Sequence, residues 1–90
     1  MIIKKAQAGS LESSDCLVTV EPADAYSMSY SGQNEAIFKR RTERIALEVA
    51  ERLSASARVS IQDQGAIEVT LRARIETAFE RAMGDGGVRV

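Results

Sequence analysis

The fold class follows from a change of hydrophobic period within residues 26–53, YSMSYSGQNEAIFKRRTERIALEVAERL. In the first six residues, serines alternate with larger side chains that would face a core: Tyr26, Met28 and Tyr30. That alternation predicts a half-buried β-strand. The apolar residues then recur every three or four positions, which predicts an amphipathic helix from Glu35 to about Leu53. Ser31 or Asn34 is suited to cap this helix.

The flanking segments predict further strands and a second helix. Residues 16–21, CLVTVE, predict a strand that forms a hairpin with residues 26–31. Residues 58–62 alternate again, and a tight turn at residues 63–65 joins them to an alternating stretch at residues 66–71, so a second hairpin is predicted. The period then becomes helical, with one apolar face formed by Leu71, Ile75, Ala78, Phe79 and Ala82.

These elements predict an α+β two-layer sandwich with the order β-β-α-β-β-α, in which two helices pack on one face of a small sheet. A chain of 90 residues leaves room for a single domain, residues 1–90. We expect residues 1–14 to form a flexible N-terminal segment that contains a loop for modification. We expect residues 85–90, DGGVRV, to form a frayed tail.

The composition argues against an independent enzyme. The chain has no histidine, which removes Ser-His-Asp and Cys-His nucleophile pairs, and its single cysteine leaves no common zinc site. The net charge of -1 argues against a nucleic-acid binder. No apolar run approaches the roughly 18 residues that span a membrane. We therefore expect a cytoplasmic protein with no catalytic residue and no metal site of its own.

The serine loop, Ser10–Asp15, holds three serines and two acidic residues, and its composition suits a role other than folding. A serine needs an adjacent base to act as a nucleophile, and without histidine the candidates are a carboxylate or the nearby Lys4 and Lys5. One interpretation is an ordinary polar turn that opens a strand. The other is that a separate enzyme modifies an exposed serine of the loop and supplies the base itself.

Other reactive or charged residues have simpler interpretations. Cys16 lies on the same strand face as Val18 and Val20, which favours a small buried hydrophobe over a reactive thiol. Two basic clusters favour a solvated helix face, with a docking surface or a phosphate clamp as the alternative. These clusters are Lys39, Arg40 and Arg41 with Arg44, and Arg72 with Arg74.

Two segments carry a resemblance to a known family. The first is residues 8–15, AGSLESSD, which a predicted strand follows at once. The second is residues 63–76, DQGAIEVTLRARIE, an Asp-x-Gly-Ala turn running into Leu-Arg-Ala-Arg. Both segments resemble motifs of the citrate lyase acyl carrier protein (gamma chain) family. The order and separation of the two motifs and the total length also fit. The resemblance therefore covers almost the whole chain.

The resemblance implies a carrier that has no catalytic residues. In that family, a serine of the Gly-[Ser/Thr]-Leu-Glu-Ser motif is joined through a phosphodiester to 2'-(5''-phosphoribosyl)-3'-dephospho-CoA. The matching residue is Ser13, with Ser14 as the second choice. The thiol of this arm carries acetyl and citryl groups. The implied partners are a prosthetic-group transferase, the citrate lyase alpha subunit, which transfers the acyl group, and the beta subunit, which cleaves the citryl thioester to oxaloacetate and an acetyl thioester.

Three alternatives stay open at this level. The carrier subunit of malonate decarboxylase is related and bears a similar prosthetic group. An unmodified interaction or scaffold subunit would have no need of Ser13. A stand-alone enzyme fits least well with the absence of histidine.

Overall fold

Two helices cover one face of a four-stranded sheet in the computed structural model, which describes residues 1–84. The elements are β1 (Ala6–Gly9), β2 (Cys16–Pro22), β3 (Ser27–Gly32), α1 (Glu35–Arg52), β4 (Ala57–Asp63) and α2 (Glu68–Ala82). The predicted α+β class, with two helices on a small sheet, is confirmed. The observed order is β-β-β-α-β-α, which differs from the predicted β-β-α-β-β-α at two segments. The predicted frayed tail, residues 85–90, lies outside the described residues.

The strand β4 lies inside the sheet, whose order is β1-β2-β4-β3. It pairs antiparallel with β2, where Ile61 lies opposite Val18, and parallel with β3, where Ile61 lies beside Tyr30. Parallel neighbours need a crossover connection, and α1 provides it between β3 and β4. The predicted hairpin between β2 and β3 is therefore wrong, because β4 separates them.

The segment 66–71, predicted as a strand, is instead a turn followed by the first turn of α2. A strand would place Ile67, Val69 and Leu71 on the core face, but Ile67 is 67% exposed and Val69 is 76% exposed. Of these three side chains only Leu71 is buried, as the first residue of the apolar face of α2. The physical reason is that both edges of β4 are already paired, with β2 and with β3, so a further strand would find no edge of β4 to join.

The strand β1, which the sequence did not predict, forms one edge of the sheet. Its residues AQAG are small or polar and show no convincing alternation. The partner strand supplies the pairing: Ala8 lies opposite Val18 and is buried against the core. Arg81 near the end of α2 donates from Nη1 to the Gln7 carbonyl oxygen at 2.8 Å, which joins the helix to this edge strand.

The core lies between the sheet and the two helices. The sheet contributes one face of each strand, and the helices contribute the apolar faces predicted from their periodicity. The fully or nearly fully buried helical residues are Thr42, Ile45, Ala46, Val49 and Ala50 from α1, and Leu71, Ile75, Ala78, Phe79 and Ala82 from α2. The buried Thr42 hydroxyl donates to the Phe38 carbonyl oxygen at 2.9 Å, so the core contains no unpaired donor at this residue.

Ion pairs join the exposed flanks of α1 and α2. Pairs that cross between the helices include Arg72–Glu48 at 2.9 Å, Arg52–Glu76 at 3.1 Å and Arg44–Glu68 at 3.6 Å. All are substantially exposed, so each contributes little to stability on its own. Within residues 1–84, neither helix is both long and apolar enough to cross a membrane.

We expect Leu71→Ala to lower the free energy of unfolding by about 2–5 kcal/mol, because Leu71 is fully buried at the start of the apolar face of α2. We expect the matched change Val69→Ala to alter it by less than about 0.5 kcal/mol, because that side chain points to solvent. Urea unfolding of both variants measures the difference. A comparable loss in Val69→Ala would contradict the helical start of α2.

Candidate functional site

The serine loop connects β1 to β2, and a hydrogen bond closes its neck: the Ser10 N–H donates to the Cys16 carbonyl oxygen at 3.1 Å. Gly9, the last residue of β1, has a φ of +95°, a conformation that L side chains rarely adopt. A Cβ at this position would overlap the Cys16 carbonyl oxygen and would lie 3.3 Å from Cδ of Arg74. The entry to the loop therefore requires glycine for both conformation and space.

The carboxylate of Asp15 is the anchor of the loop. Its Oδ1 accepts hydrogen bonds from the Cys16 N–H at 2.7 Å and from Arg74 Nε at 3.0 Å. Its Oδ2 accepts from Ser10 Oγ at 2.8 Å and from Arg74 Nη2 at 3.2 Å. The Arg74 bonds, followed by those from Ser10 and the Cys16 N–H, lower the pKa of Asp15 to about 2 because they stabilise the charged form.

The loop itself contains a tight turn, Glu12–Asp15. The Asp15 N–H donates to the Glu12 carbonyl oxygen at 3.1 Å, and Ser14 has a φ of +67°, as the third residue of a type II turn does. Two backbone bonds tie this turn to Gln64: the Ser14 N–H donates to the Gln64 carbonyl oxygen at 2.7 Å, and the Gln64 N–H donates to the Asp15 carbonyl oxygen at 2.8 Å. The turn that precedes α2 therefore supports the loop.

The three serines of the loop differ in accessibility. Ser10 is half-buried, and its hydroxyl is occupied by Asp15 and by the Glu12 N–H, which donates to it at 3.2 Å. Ser13 and Ser14 are exposed, and neither hydroxyl forms a hydrogen bond within residues 1–84. Ser13 occupies the second position of the turn, at its corner. The hydroxyls of Ser13 and Ser14 are therefore accessible for modification by a separate enzyme.

The lysines considered as activating bases lie elsewhere. Lys4 and Lys5 precede β1 and are therefore at the opposite end of that strand from the serine loop. The Lys4 N–H donates to the Ala82 carbonyl oxygen at 3.2 Å, at the end of α2. In the described part of the chain, no group of three His, Cys, Asp or Glu residues is placed to hold a metal ion.

A second carboxylate, Asp63, organises the turn that supports the loop. Asp63 is 4% exposed, and its Oδ1 accepts from the N–H groups of Gly65 at 3.0 Å and Ala66 at 2.9 Å. Its Oδ2 accepts from the Tyr30 hydroxyl at 2.6 Å and from Arg41 Nη2 at 3.4 Å. The turn predicted at residues 63–65 is confirmed, with Gly65 at a φ of +95°. It leads into α2 rather than into a strand.

The basic clusters divide into two roles. Arg44 and Arg72 lie on partly exposed helix faces and pair with glutamates, as the favoured interpretation predicted. Arg41 and Arg74 instead bind the two anchoring carboxylates, and sequence reasoning did not assign them there. Arg74 is 59 residues from Asp15 and Arg41 is 22 residues from Asp63, so no local spacing could have indicated either pair.

Cys16 has the structural role that its strand position predicted. The side chain is fully buried in the core beside the strand residues Val18 and Val20. Burial, with smaller contributions from the charges of Asp63 and Asp15, raises the pKa of the thiol to about 11. The thiol is therefore protonated and enclosed at neutral pH, which excludes it as a nucleophile in this conformation.

Gly9→Ala is expected to destabilise the protein more than Gly65→Ala. Both residues have a φ of +95°, so each alanine suffers a conformational penalty of about 1–2 kcal/mol. A Cβ on Gly65 meets nothing within 4 Å, whereas a Cβ on Gly9 overlaps the Cys16 carbonyl oxygen. The difference in unfolding free energy between the two variants measures the steric contribution. Equal losses would contradict the close approach at the loop neck.

The pH dependence of stability tests the environment of Asp15. Its pKa in the folded state, about 2, lies below the ordinary value of 3.8, so its bonds contribute stability above about pH 4 and lose it as the pH falls towards 2. We expect Asp15→Asn to be less stable than the wild type at neutral pH. We expect the difference to shrink between about pH 4 and about pH 2 in urea unfolding. A difference that is independent of pH would contradict this account.

Comparison with known proteins identifies the family. The family model described as "Malonate decarboxylase delta subunit (MdcD)" matches residues 3–82. The citrate lyase acyl carrier protein of Escherichia fergusonii is 40% identical over 84 residues, which cover 90% of this chain and 87% of that protein. The protein of the same name from Serratia proteamaculans is 35% identical over 88 residues, which cover 94% and 86%.

A solved structure shows the same fold. A chain in the crystal structure of a Pseudomonas malonate decarboxylase hetero-tetramer in complex with malonate superposes with a TM-score of 0.69 and 24% sequence identity. The match covers 88% of this chain and 84% of that chain. The family match and the curated relatives confirm the membership that the two motifs predicted. The chain therefore belongs to the acyl carrier protein family that contains the citrate lyase acyl carrier proteins and the malonate decarboxylase delta subunit.

Proposed function

We propose that this chain is the acyl carrier subunit of citrate lyase, and that Ser13 carries 2'-(5''-phosphoribosyl)-3'-dephospho-CoA in a phosphodiester linkage. The observation that supports this most directly is the exposed Ser13 hydroxyl at the corner of a turn that backbone hydrogen bonds hold in place. The names of the relatives that are 35–40% identical over most of the chain support the choice of citrate lyase.

The surroundings of Ser13 fit a bulky covalent group. The side chain is exposed and, within residues 1–84, its hydroxyl has no hydrogen bond to give up on modification. Ser10 fits less well, because modification would break its bond to Asp15 and would crowd the half-buried neck of the loop. Ser14 is exposed but sits in a left-handed conformation with its N–H held by Gln64, so it stays the second choice.

The chain's own residues would present the attachment point and leave the catalysis to partners. When bound, the group supplies a terminal thiol that forms thioesters with acetyl and citryl groups. Asp15 and Arg74 hold the base of the loop, and the backbone of Gln64 holds the turn, so Ser13 projects from a fixed platform. A tethered arm raises the effective concentration of its thioester at a partner's active site.

The division of labour fits the composition. The chain has no histidine, and its cysteine is enclosed, so we propose that it is a non-catalytic subunit. The partners we propose are the citrate lyase alpha subunit as acyl transferase, the beta subunit as citryl lyase, and the transferase that attaches the group. A cytoplasmic location is supported by the single, unpaired Cys16.

A second candidate is the carrier subunit of malonate decarboxylase. The description of the matching family model and the fold shared with the Pseudomonas chain favour it. The identity to that chain is 24%, compared with 35–40% to the citrate lyase carriers, so citrate lyase is the first choice. The two candidates share the same attachment chemistry at Ser13 and differ in the enzyme subunits that accept the arm.

We expect co-expression with the prosthetic-group transferase to add the mass of the group to the wild type and to Ser14→Ala, but not to Ser13→Ala. Intact-mass measurement followed by peptide fragmentation identifies the modified residue. Ser14→Ala is the matched control, since it removes the neighbouring exposed hydroxyl and leaves Ser13 in place. An adduct that persists in Ser13→Ala would disprove the assignment.

Activity in the complex separates the candidate functions. Modified wild-type chain, combined with citrate lyase alpha and beta subunits, should support cleavage of citrate to acetate and oxaloacetate, and Ser13→Ala should not. If the modified chain instead supports malonate decarboxylation when it is combined with malonate decarboxylase subunits, the second candidate is favoured. Full activity of Ser13→Ala would indicate an unmodified scaffold subunit.

A further inference from the structure

Arg74 connects the rigid body of the domain to the serine loop. It lies in α2, and the nearby helical residues Leu71 and Ile75 are fully buried in the core. Its guanidinium reaches both oxygens of the Asp15 carboxylate, with Nε on Oδ1 at 3.0 Å and Nη2 on Oδ2 at 3.2 Å. A two-point contact of this kind fixes orientation as well as distance.

The path of the Arg74 side chain depends on Gly9. A Cβ on Gly9 would lie 3.3 Å from Cδ of Arg74, which is closer than most real Cβ contacts. The missing side chain at the loop neck therefore leaves room both for the Cys16 carbonyl oxygen and for the stem of the arginine. The conformation of the neck and the approach of Arg74 are parts of one arrangement.

Asp15, which Arg74 holds, forms hydrogen bonds to residues that precede Ser13 in the loop. Its Oδ2 accepts from the Ser10 hydroxyl, which lies before Ser13 in the chain, and its N–H closes the turn that contains Ser13. Ser13 itself has no hydrogen bond within residues 1–84, so its position depends entirely on the residues around it. The Asp15–Arg74 contact is the side-chain link between those residues and α2.

We propose that Arg74 is a positioning residue for the modification of Ser13 and acts through Asp15; this inference rests on the proposed function. In the modification, Ser13 Oγ gives its proton to a base of the transferase and forms a bond to phosphorus of the activated donor, whose leaving group departs from that phosphorus. Such a reaction needs the hydroxyl in line with the donor. A displacement of about 1 Å at a reacting group can lower a rate by about 100-fold.

The ion pair contributes to position more than to stability. The Arg74 side chain is 42% exposed, so solvent screens the pair and limits the stability that it adds to the fold. The helix also offers a matched control. Arg72 is 38% exposed and binds Glu48 at 2.9 Å, but this contact joins α2 to α1 and does not touch the serine loop. Arg72→Gln therefore removes a similar pair without releasing Ser13.

The experiment measures the kinetics of modification of the full-length unmodified chain by its transferase, for the wild type, Arg74→Gln, Arg74→Lys and Arg72→Gln. We expect Arg74→Gln to lower kcat by about tenfold or more with KM changed by less than about threefold, because the chain still docks while its hydroxyl is misplaced. We expect Arg74→Lys to lose kcat as well, since a lysine keeps the charge but cannot bind both carboxylate oxygens. Arg72→Gln should behave as the wild type.

Equal kinetics of Arg74→Gln and Arg72→Gln would overturn the proposal. Wild-type kinetics of Arg74→Lys would also overturn it, because neutralisation of Asp15 would then suffice. If the wild type acquires no group, the proposed function fails, and amide hydrogen exchange still tests the positioning. Faster exchange of the Ser14 and Cys16 amides in Arg74→Gln than in Arg72→Gln would support it, and equal exchange would refute it.

Discussion

The structure depends on one buried carboxylate, that of Asp63 at the end of β4. A carboxylate that is 4% exposed is costly unless it is paired and hydrogen-bonded, so its partners must converge on it. They come from β3, through the Tyr30 hydroxyl, from α1, through Arg41, and from the backbone of the turn that follows β4. This one group therefore determines how a strand, a helix and the start of the second helix meet.

The position of the serine loop depends on that arrangement. Asp63 pairs in register with Cys16, the residue after Asp15, so the two anchoring carboxylates lie at the same end of the neighbouring strands β2 and β4. Each carboxylate binds its own arginine. The backbone of Gln64 in the turn accepts from the Ser14 N–H and donates to the Asp15 carbonyl oxygen. In this way the chain holds an exposed serine in a defined place.

The helices were predictable because burial repeats along them. The apolar faces expected in α1 and α2 are the buried faces of the two helices. The strand expected at residues 66–71 illustrates the limit of such patterns. The alternating apolar residues indicate a strand by their period, and only the occupied edges of β4 exclude it. For β1 the converse holds, since its small residues form a strand because β2 offers an edge.

The sequence by itself determined the α+β class, the two helices, the turn at residues 63–65 and, through its motifs, the family. Its choice of Ser13 as attachment point, with Ser14 second, stays a prediction. Each of these depends on residues close together in the chain, where spacing carries the information. Only the tertiary structure decided the strand order, the start of α2, and the pairing of Asp15 with Arg74 and of Asp63 with Tyr30 and Arg41. Those partners are between 22 and 59 residues apart. No local pattern indicates which distant side chain binds which carboxylate, because only the folded structure brings them together.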